Sequence, residues 1–344
     1  MARIFYGVMG DAHGHISRSL AVAQEMPQHE FLFAGGGTVR EAANAGYSYL
    51  EIPMIATIHR HNQVDVPATV AHFLKIAIRS KPIISRLAAA IDAFDPDIIL
   101  TDYEFFTPLA AKKLGRPCAS LDHQHILTHC IGEALSGQDL NRLLTSSSVR
   151  FLFSFADRFL VSSFYRLPPV NGRTEVFPPV LRRAVMDHQA TDGEHILVYL
   201  IPGTLSLLLP LLRADKRRFI VYGANDEKRA EGNILFRKFS TDGFLEDLSS
   251  CRYVISNGGH SLISESLYYG KPVLCFPIDL LYEQLLNAHY LDRYGFGMYR
   301  TGANLSARLL DDFKGRLEHY RVNIEKGRFF GNRQIAERIG ELMR

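Results

Sequence analysis

Short apolar runs alternate with segments of helical periodicity through the first half of the chain. The run RIFYGVM at residues 3–9 is rich in β-branched and aromatic side chains, which predicts a buried strand. The next segment places Ile16, Leu20 and Ala23 on one helical face. Further strands are predicted at EFLFAGG, YSYLEIP, PDIILTD, PCASLDH and RFLVSS, and further helices at TVREAANAG, at residues 67–94 and at TPLAAKKLG. Strands that alternate with helices indicate a parallel sheet covered on both faces.

The pattern pauses between residues 178 and 193, where a proline-rich and then polar stretch is typical of a linker. Beyond it, strands are predicted at HILVYL, RRFIVYG, NILFRKF, RYVISNG and PVLCFP, with helices between them. The sequence therefore predicts an α/β protein with two doubly wound Rossmann-like domains that face each other across a cleft. We expect one domain at residues 1–180, a second at 181–325, and a C-terminal helix at 326–344 that packs back on the first.

Composition agrees with two globular domains and narrows the class of protein. The chain has 344 residues, 47% of them hydrophobic, and a formal net charge of +3. So small a basic excess argues against a nucleic-acid binder. The four cysteines lack C-x-x-C spacing, and the first residues reach Asp11 and His13 too soon for a signal peptide, which favours a reduced, cytoplasmic protein. The apolar run at residues 195–212 is interrupted by Pro202 and Gly203, so it predicts a strand, a loop and a short helix rather than a membrane span.

The stretch SNGGHSLISESLYYGKPVLCFPIDLLYEQLLNA, residues 256–288, carries the densest candidate chemistry. Glycines between a strand and a helix let backbone N–H groups approach a phosphate, and the helix N-terminus adds a positive dipole end. Glu265 follows Gly259 by six residues, on the side that can meet a ribose diol, and Glu283 and Gln284 are expected in a loop after Pro277. An ordinary βαβ turn with surface charges explains the glycines alone, but the joint spacing is far more specific.

This spacing resembles the donor-binding signature of inverting glycosyltransferases with the two-domain GT-B fold. It is similar to the UDP-glycosyltransferases of plants and bacteria and to the N-acetylglucosaminyltransferase that completes lipid II. The resemblance implies a nucleotide-diphosphate sugar as co-substrate, with UDP as the family default, and no other cofactor. It implies donor contacts from Gly203, Thr204, Phe239, Ser240, Asn257, Gly258, Gly259, His260, Ser261, Glu265, Glu283 and Gln284. In plant enzymes a histidine is common where Asn257 stands.

The N-terminal half resembles the same family. The segment GDAHGHISRSL resembles its first loop, which implies that Gly14 and His15 lie on the acceptor side and that His15 is the general base. The segment DPDIILTDYEFF resembles the one that carries a steadying aspartate, which nominates Asp102. A surface or capping role remains an alternative for His15, and an N-cap role for Asp102. His123 and His125 in LDHQH fit an acceptor-binding loop.

Other functions remain open. The H-x-H pairs His13/His15, His59/His61 and His123/His125 suggest a metal-dependent hydrolase, because alternate residues of a strand face the same side. A sugar-nucleotide 2-epimerase shares the fold and the donors, and a non-catalytic sensor would share the donor signature. The acceptor is a glycan, a lipid or a small molecule. The aromatic stretch VRFLFSFADRFLVSSFYR, with Arg150, Arg158 and Arg166, suggests a peripheral membrane contact beside its reading as core helix and strand.

Overall fold

The computed structural model describes residues 1–11, 13–55, 59–60, 63–64, 66–223, 228–278, 281–302, 306 and 308–344. The chain divides into two compact units. The first comprises Met1–Ala134, Arg142–Arg182 and Gly331–Arg344, and the second comprises Leu135–Asn141 and Arg183–Phe330. The last helix of the chain therefore lies within the first unit.

The first unit is built on a parallel sheet, in which strands buried on both faces read as apolar runs. Its order is β3-β2-β1-β6-β7-β8-β9. The strands are β1 (Arg3–Val8), β2 (Glu30–Gly35), β3 (Ser48–Glu51), β6 (Ile98–Asp102), β7 (Cys118–Asp122), β8 (Arg158–Ser162) and β9 (Thr174–Phe177), and β4 (His59–Arg60) pairs separately with β5 (Gln63–Val64). The chain order of these strands places β1 beside β6, so their carboxyl ends meet at one edge of the sheet.

Helices pack on this sheet and form two cores with it. They are α1 (His13–Glu25), α2 (Glu41–Asn44), α3 (Val66–Ile78), α4 (Ser80–Phe94) and α5 (Phe106–Lys113), with a 3₁₀ turn at Gly37–Arg40 and a π-helix at Val149–Phe153. Two further helices, α6 (Ile126–His129) and α7 (Asp139–Ser148), follow α5 along the chain, and α7 has no buried residue. The last helix, α15 (Asn332–Leu342), buries Ile335 and Ile339 in the same core as Ile16 of α1.

One sequence prediction is wrong here: residues 67–94 do not form a single helix. The chain leaves helical geometry at Arg79, where φ is −95° and ψ is 10°, and α4 begins at Ser80. Pro82 lies in the first turn of α4, where backbone N–H groups have no helical acceptor, so a residue without an N–H is tolerated there. The proline therefore marks a helix start, which a pattern of apolar spacing alone does not detect.

The second unit repeats the architecture with a sheet of order β12-β13-β11-β10-β14-β15-β16, parallel except for the pairing of β12 with β13. The strands are β10 (Ile196–Tyr199), β11 (Phe219–Tyr222), β12 (Arg229–Glu231), β13 (Ile234–Phe236), β14 (Tyr253–Ser256), β15 (Val273–Cys275) and β16 (Gly297–Tyr299). The helices are α8 (Arg183–Met186), α9 (Pro202–Ala214), α10 (Thr241–Ser250), α11 (His260–Tyr268), α12 (Tyr282–Arg293), α13 (Leu309–Lys314) and α14 (Leu317–Glu325). The prediction of two Rossmann-like sheets is confirmed.

The apolar run at 195–212 forms β10 and α9, as predicted, with Pro202 at the start of α9. A search of the described helices finds none with the length and apolar character needed to cross a membrane. A second correction concerns Glu283 and Gln284, which lie in the first turn of α12 rather than in a loop. Tyr282, the first residue of that helix, is buried.

Candidate active site

His15 lies in the first turns of α1, next to the carboxyl end of β6. Val8 at the end of β1 pairs in register with Asp102 at the end of β6, and the N–H of Met9 donates to the carbonyl of Asp102 over 3.0 Å. The loop between β1 and α1 passes so close to its neighbour that a Cβ at Gly10 would lie 1.8 Å from the carbonyl oxygen of Gly36. This tight passage fixes where α1 begins, and with it the position of His15.

The carboxylate of Asp102 accepts hydrogen bonds from side chains on one face of α1. His15 Nδ1 lies 2.6 Å from Asp102 Oδ1. Arg18, one turn along the helix, donates from Nε to Oδ2 over 2.8 Å and from Nη2 to Oδ1 over 2.6 Å. Ser19 Oγ adds a 3.2 Å bond to Oδ2. The spacing i, i+3 and i+4 places these three side chains on one helical face, so α1 presents an imidazole and a guanidinium to one carboxylate.

This cluster is almost completely buried, so its charges interact strongly with one another. Asp102 has no exposed surface, and Arg18 and His15 are 6% and 9% exposed. Burial alone would lower the pKa of Arg18, but the charge and hydrogen bonds of Asp102 raise it above its ordinary value. Arg18 therefore compensates the charge of the carboxylate in this buried position. Nδ1 faces an acceptor, so Nε2 is the ring nitrogen left to take a proton.

Tyr103 follows Asp102 in a strained backbone conformation, with φ of +54°. Its ring stacks on that of Phe153 at a centroid distance of 4.0 Å and lies nearly parallel to the ring of His15 at 6.0 Å. Sequence reasoning missed Tyr103, Arg18 and Ser19. The helical i, i+3, i+4 spacing from His15 was the signal available for Arg18 and Ser19.

The H-x-H pair on α1 is not arranged as the metal hypothesis required. His13 and His15 lie on a helix rather than a strand, so their side chains diverge: His13 faces Glu41 at 3.2 Å while His15 faces Asp102. The His59/His61 pair lies outside the residues whose side chains are described. Within the described part of the chain, no group of three or more His, Cys, Asp or Glu side chains is placed to hold a metal ion.

His123 and His125 are buried and have protein partners. His123 is 0% exposed, and its Nδ1 donates to the carbonyl of Ser162 over 3.0 Å. His125 is 1% exposed, and its Nδ1 lies 2.6 Å from Oδ2 of Asp122. Burial alone would raise the pKa of Asp122, but His125 and the hydrogen bonds around the carboxylate hold it below its ordinary value. Both rings are thus part of the interior, and an acceptor contact from them stays a prediction.

In the second unit the predicted glycine-rich turn joins β14 to α11. Gly258 has φ of +96°, and a Cβ there would lie 3.0 Å from the carbonyl oxygen of Gln284 in α12. Gly259 precedes α11 and faces open space. The first helical backbone bond of α11 runs from Ile263 N to Gly259 O. The N–H groups of His260 and Ser261 therefore precede the helical ladder, and helix N-termini of this kind attract anions.

Asn257 connects three strand ends of this sheet. Its Oδ1 accepts from the N–H of Ile201 over 2.8 Å, and its Nδ2 donates to Phe276 O over 2.9 Å and to Thr204 Oγ1 over 3.1 Å. Both amide hydrogens are used in these bonds. The arrangement brings Thr204 beside the glycine turn, while Gly203 is exposed in the first turn of α9. The structure thus places the start of α9 next to the start of α11.

Two further groups of predicted residues lie near the same edge of the sheet. Glu265 is 7% exposed on α11, and Gln284 accepts from the N–H of Ile278 over 3.2 Å. Phe239, 49% exposed just before α10, joins an aromatic cluster with Tyr199 at the end of β10 and Phe244. Ser240 is the residue that precedes α10. Tyr199, 41% exposed, was missed by sequence reasoning, although its place as the last residue of a buried strand was a usable signal.

Known proteins resemble the chain in sequence and in structure. A protein of Methanosarcina acetivorans described as an uncharacterized glycosyltransferase is 28% identical over 330 residues, which cover 86% of this chain and 82% of the relative. A UDP-glucosyltransferase from Polygonum tinctorium superposes with a TM-score of 0.71 at 14% identity, over 99% of this chain and 98% of that one. MurG of Acinetobacter baumannii superposes with a TM-score of 0.65 at 12% identity, over 99% and 100%.

These likenesses show the fold and the family. The two parallel sheets correspond to the GT-B fold of glycosyltransferases, as the solved structures indicate. The model for glycosyl transferase family 1 matches residues 2–318, which is most of the chain. This protein therefore belongs to glycosyl transferase family 1 and is a glycosyltransferase.

Proposed function

We propose that this glycosyltransferase moves a sugar from a nucleotide-diphosphate donor, UDP-linked by preference, to an acceptor hydroxyl with inversion at the anomeric carbon. His15 removes the proton from the acceptor hydroxyl, and the oxygen attacks the anomeric carbon from the face opposite the leaving nucleotide. The 2.6 Å contact between His15 Nδ1 and buried Asp102 is the observation that supports this proposal most strongly. A hydrogen bond from Nδ1 to this carboxylate favours the tautomer whose Nε2 can accept a proton.

Asp102 positions His15 in this mechanism, and Arg18 in turn holds Asp102 in place. A carboxylate left alone in a dry interior would take up a proton or be destabilised. The two hydrogen bonds from Arg18 compensate the charge of Asp102 and orient its carboxylate. His15 therefore keeps its Nδ1–H hydrogen-bonded to a fixed acceptor while Nε2 takes up the proton of the acceptor hydroxyl. The imidazolium that forms is stabilised by Asp102.

The donor belongs to the second unit in this proposal. The diphosphate lies at the N-terminus of α11, where the N–H groups of His260 and Ser261 and the helix dipole stabilise the negative charge that develops on the leaving group. Glu265 accepts hydrogen bonds from the ribose diol, and Glu283 and Gln284 contact the sugar hydroxyls. The exposed ring of Phe239 stacks on the base. Asn257 acts by holding the loop, since its amide donors are used within the sheet.

A helix N-terminus supplies the charge stabilisation that a divalent cation supplies in other transferases, so we propose that no metal is needed. Chelator added to the purified enzyme is then expected to leave the rate unchanged. Loss of activity with chelator, restored by one divalent ion, would overturn this part of the proposal and leave the fold assignment intact.

Binding of the donor is the first experiment. Thermal unfolding is recorded with nucleoside diphosphates of each base and then with their sugars, because a ligand that binds only the folded state raises the melting temperature. We expect UDP to give the largest shift among the diphosphates, and a UDP-sugar a larger one. NMR of the product's anomeric signal then reports the stereochemistry. A product with retained configuration would contradict His15 as the base of a single displacement.

A further inference from the structure

Helix α3 exposes two large aliphatic side chains on one face. Ile78 is 83% exposed and Leu74, one turn earlier, is 53% exposed. Residues four apart lie on the same helical face. The core of the first unit is supplied instead by Phe73 and Ile76 of the same helix. Leu74 and Ile78 are therefore not needed to hold α3 on the sheet, and both are exposed to solvent.

Several exposed cations lie close in sequence to this apolar pair. Lys75 follows Leu74 on α3, Arg79 follows Ile78 at the junction of α3 and α4, and Lys81 and Arg86 lie on α4; all four are exposed. The sequence contains no Asp or Glu between residues 66 and 91. Lys113 of α5 adds a further cation beside α4, since its Nζ donates to Ser85 Oγ over 2.8 Å. We name these residues the α3–α4 face: Leu74, Lys75, Ile78, Arg79, Lys81, Arg86 and Lys113.

A second exposed aromatic segment lies next to this face. The ring of Phe105 contacts Phe73 of α3 at a centroid distance of 6.0 Å and Phe155 at 6.2 Å. Phe155 is 36% exposed, and Phe151, in the π-helix just before it, is 70% exposed. Phe105 therefore links α3 to the aromatic stretch whose sequence suggested a membrane contact. Arg150 is exposed in the same segment.

We propose that the α3–α4 face, extended by Phe151 and Phe155, binds the surface of an anionic lipid bilayer. Aliphatic side chains that project beside lysines and arginines match the boundary between acyl chains and anionic headgroups. A nucleic acid would be attracted by the cations, but its phosphate backbone would gain little from the two exposed aliphatic side chains. In this proposal the protein lies on the bilayer surface and is held there by several weak contacts.

The test is sedimentation of the full chain with vesicles of phosphatidylcholine, alone or with about a third phosphatidylglycerol. We expect binding to the anionic vesicles that weakens with added salt. A Lys75→Gln/Lys81→Gln variant should bind roughly fivefold more weakly for each lysine removed. A Leu74→Ser/Ile78→Ser variant should also lose binding, and the loss should persist at low salt. These residues are exposed, so the melting temperature is expected to stay unchanged.

Matched variants in the second unit serve as controls. Leu207 is also 53% exposed, and Lys314 and Lys326 are exposed lysines. Leu207→Ser and Lys314→Gln/Lys326→Gln are expected to bind vesicles as the unaltered protein does. Equal losses in the control and test variants would overturn the proposal. So would vesicle binding that survives Leu74→Ser/Ile78→Ser, or heparin binding that is strong while vesicle binding is absent, because either result would make the face a general polyanion surface.

Discussion

Arg18 donates to both carboxylate oxygens of Asp102, from Nε over 2.8 Å and from Nη2 over 2.6 Å. The pair is buried, so each charge depends on the other for compensation. Arg18 Nη2 also lies 3.2 Å from Nδ1 of His15. The catalytic imidazole that we propose therefore sits beside an ion pair that the family signature did not include, and Arg18 becomes a residue to test.

Replacing Arg18 should impair both stability and catalysis. Arg18→Met leaves the charge of Asp102 uncompensated in a dry interior and should cost roughly 3–5 kcal/mol in the free energy of unfolding. Arg18→Lys keeps the charge but loses the planar fork, so it should lower kcat with little change in the donor's KM. Urea unfolding and steady-state kinetics measure these effects. Arg333→Lys, in an exposed ion pair with Glu337, is the control and should change neither. An Arg18→Lys enzyme with full kcat would show that the fork is dispensable.

His15→Ala tests the proposed base. It should lower kcat by roughly 10²–10⁴ and leave nucleotide affinity nearly unchanged, because the donor contacts are proposed for the second unit. His13→Ala, two residues away and exposed, is the control and should retain kcat. Calorimetry with UDP and initial rates separate the two effects. Full activity in His15→Ala would contradict its role as base.

Asp102→Asn should act through the same step as His15→Ala. The double variant should then be little slower than His15→Ala alone, since residues that act as a unit are not additive. Asp102→Asn also removes the charge that compensates buried Arg18, so the variant should be less stable. Its rates must therefore be normalised to the folded fraction. Fully additive losses would show that Asp102 and His15 act independently.

The sequence predicts the sheets better than it predicts the contacts at their edges. Buried parallel strands are continuous apolar runs, so β1, β6 and β14 are evident from composition and length alone. The contact between His15 and Asp102 joins residues 87 positions apart, and it followed from a family resemblance rather than from periodicity. Arg18 was missed because a charged residue in a helix is ordinarily assigned to the solvent.

Two sequence errors have the same physical origin. The break at Arg79 and the helical placement of Glu283 both concern the residue at which a helix begins. Apolar spacing reports which side of a segment is inside, but it does not report where a helix starts. Capping and local packing decide that. The assignment of His123 and His125 to an acceptor loop likewise could not anticipate their burial.

Among the residues proposed to bind the nucleotide-sugar donor, Glu265 has the clearest expected effect on UDP affinity. Glu265→Ala removes the carboxylate proposed for the ribose diol, and the loss of a charge-assisted hydrogen-bond pair should cost about 1.5–3 kcal/mol in UDP binding. Calorimetry measures the affinity, and the melting temperature without ligand confirms folding. Glu318→Ala on the exposed side of α14 is the control. A folded Glu265→Ala protein with unchanged UDP affinity would remove Glu265 from the donor site.

His129 should make the stability of the first unit depend on pH. Burial lowers its pKa from the ordinary 6.5 to about 4, and the charges of His125, Arg150 and Arg173 act in the same direction, while Asp122 opposes them. A depressed folded-state pKa means that the unfolded chain binds the extra proton. The stabilising contribution is therefore complete above pH 6.5 and is lost as the pH falls toward 4.

Urea unfolding at pH 7.5 and pH 4.5 tests this dependence. The unaltered protein should lose roughly 1–2 kcal/mol more between these pH values than His129→Gln does, a figure reduced for the partial exposure of the ring. His13→Gln is the control, because His13 is exposed on α1, and it should keep the full pH dependence. Identical pH dependence in His129→Gln and the unaltered protein would show that His129 titrates as it does in the unfolded chain.

Gly258 tests the phosphate loop separately from Glu265. Its φ of +96° disfavours any side chain, and a Cβ would lie 3.0 Å from Gln284 O. Gly258→Ala should therefore lower stability by about 1–3 kcal/mol and also shift the loop that presents the N-terminus of α11 to the diphosphate. Gly270→Ala is a matched control: φ is +73° there, but nothing lies within 4 Å of the added Cβ. We expect both variants to melt earlier and only Gly258→Ala to lose UDP affinity. Equal UDP affinity in the two folded variants would place the diphosphate away from this loop.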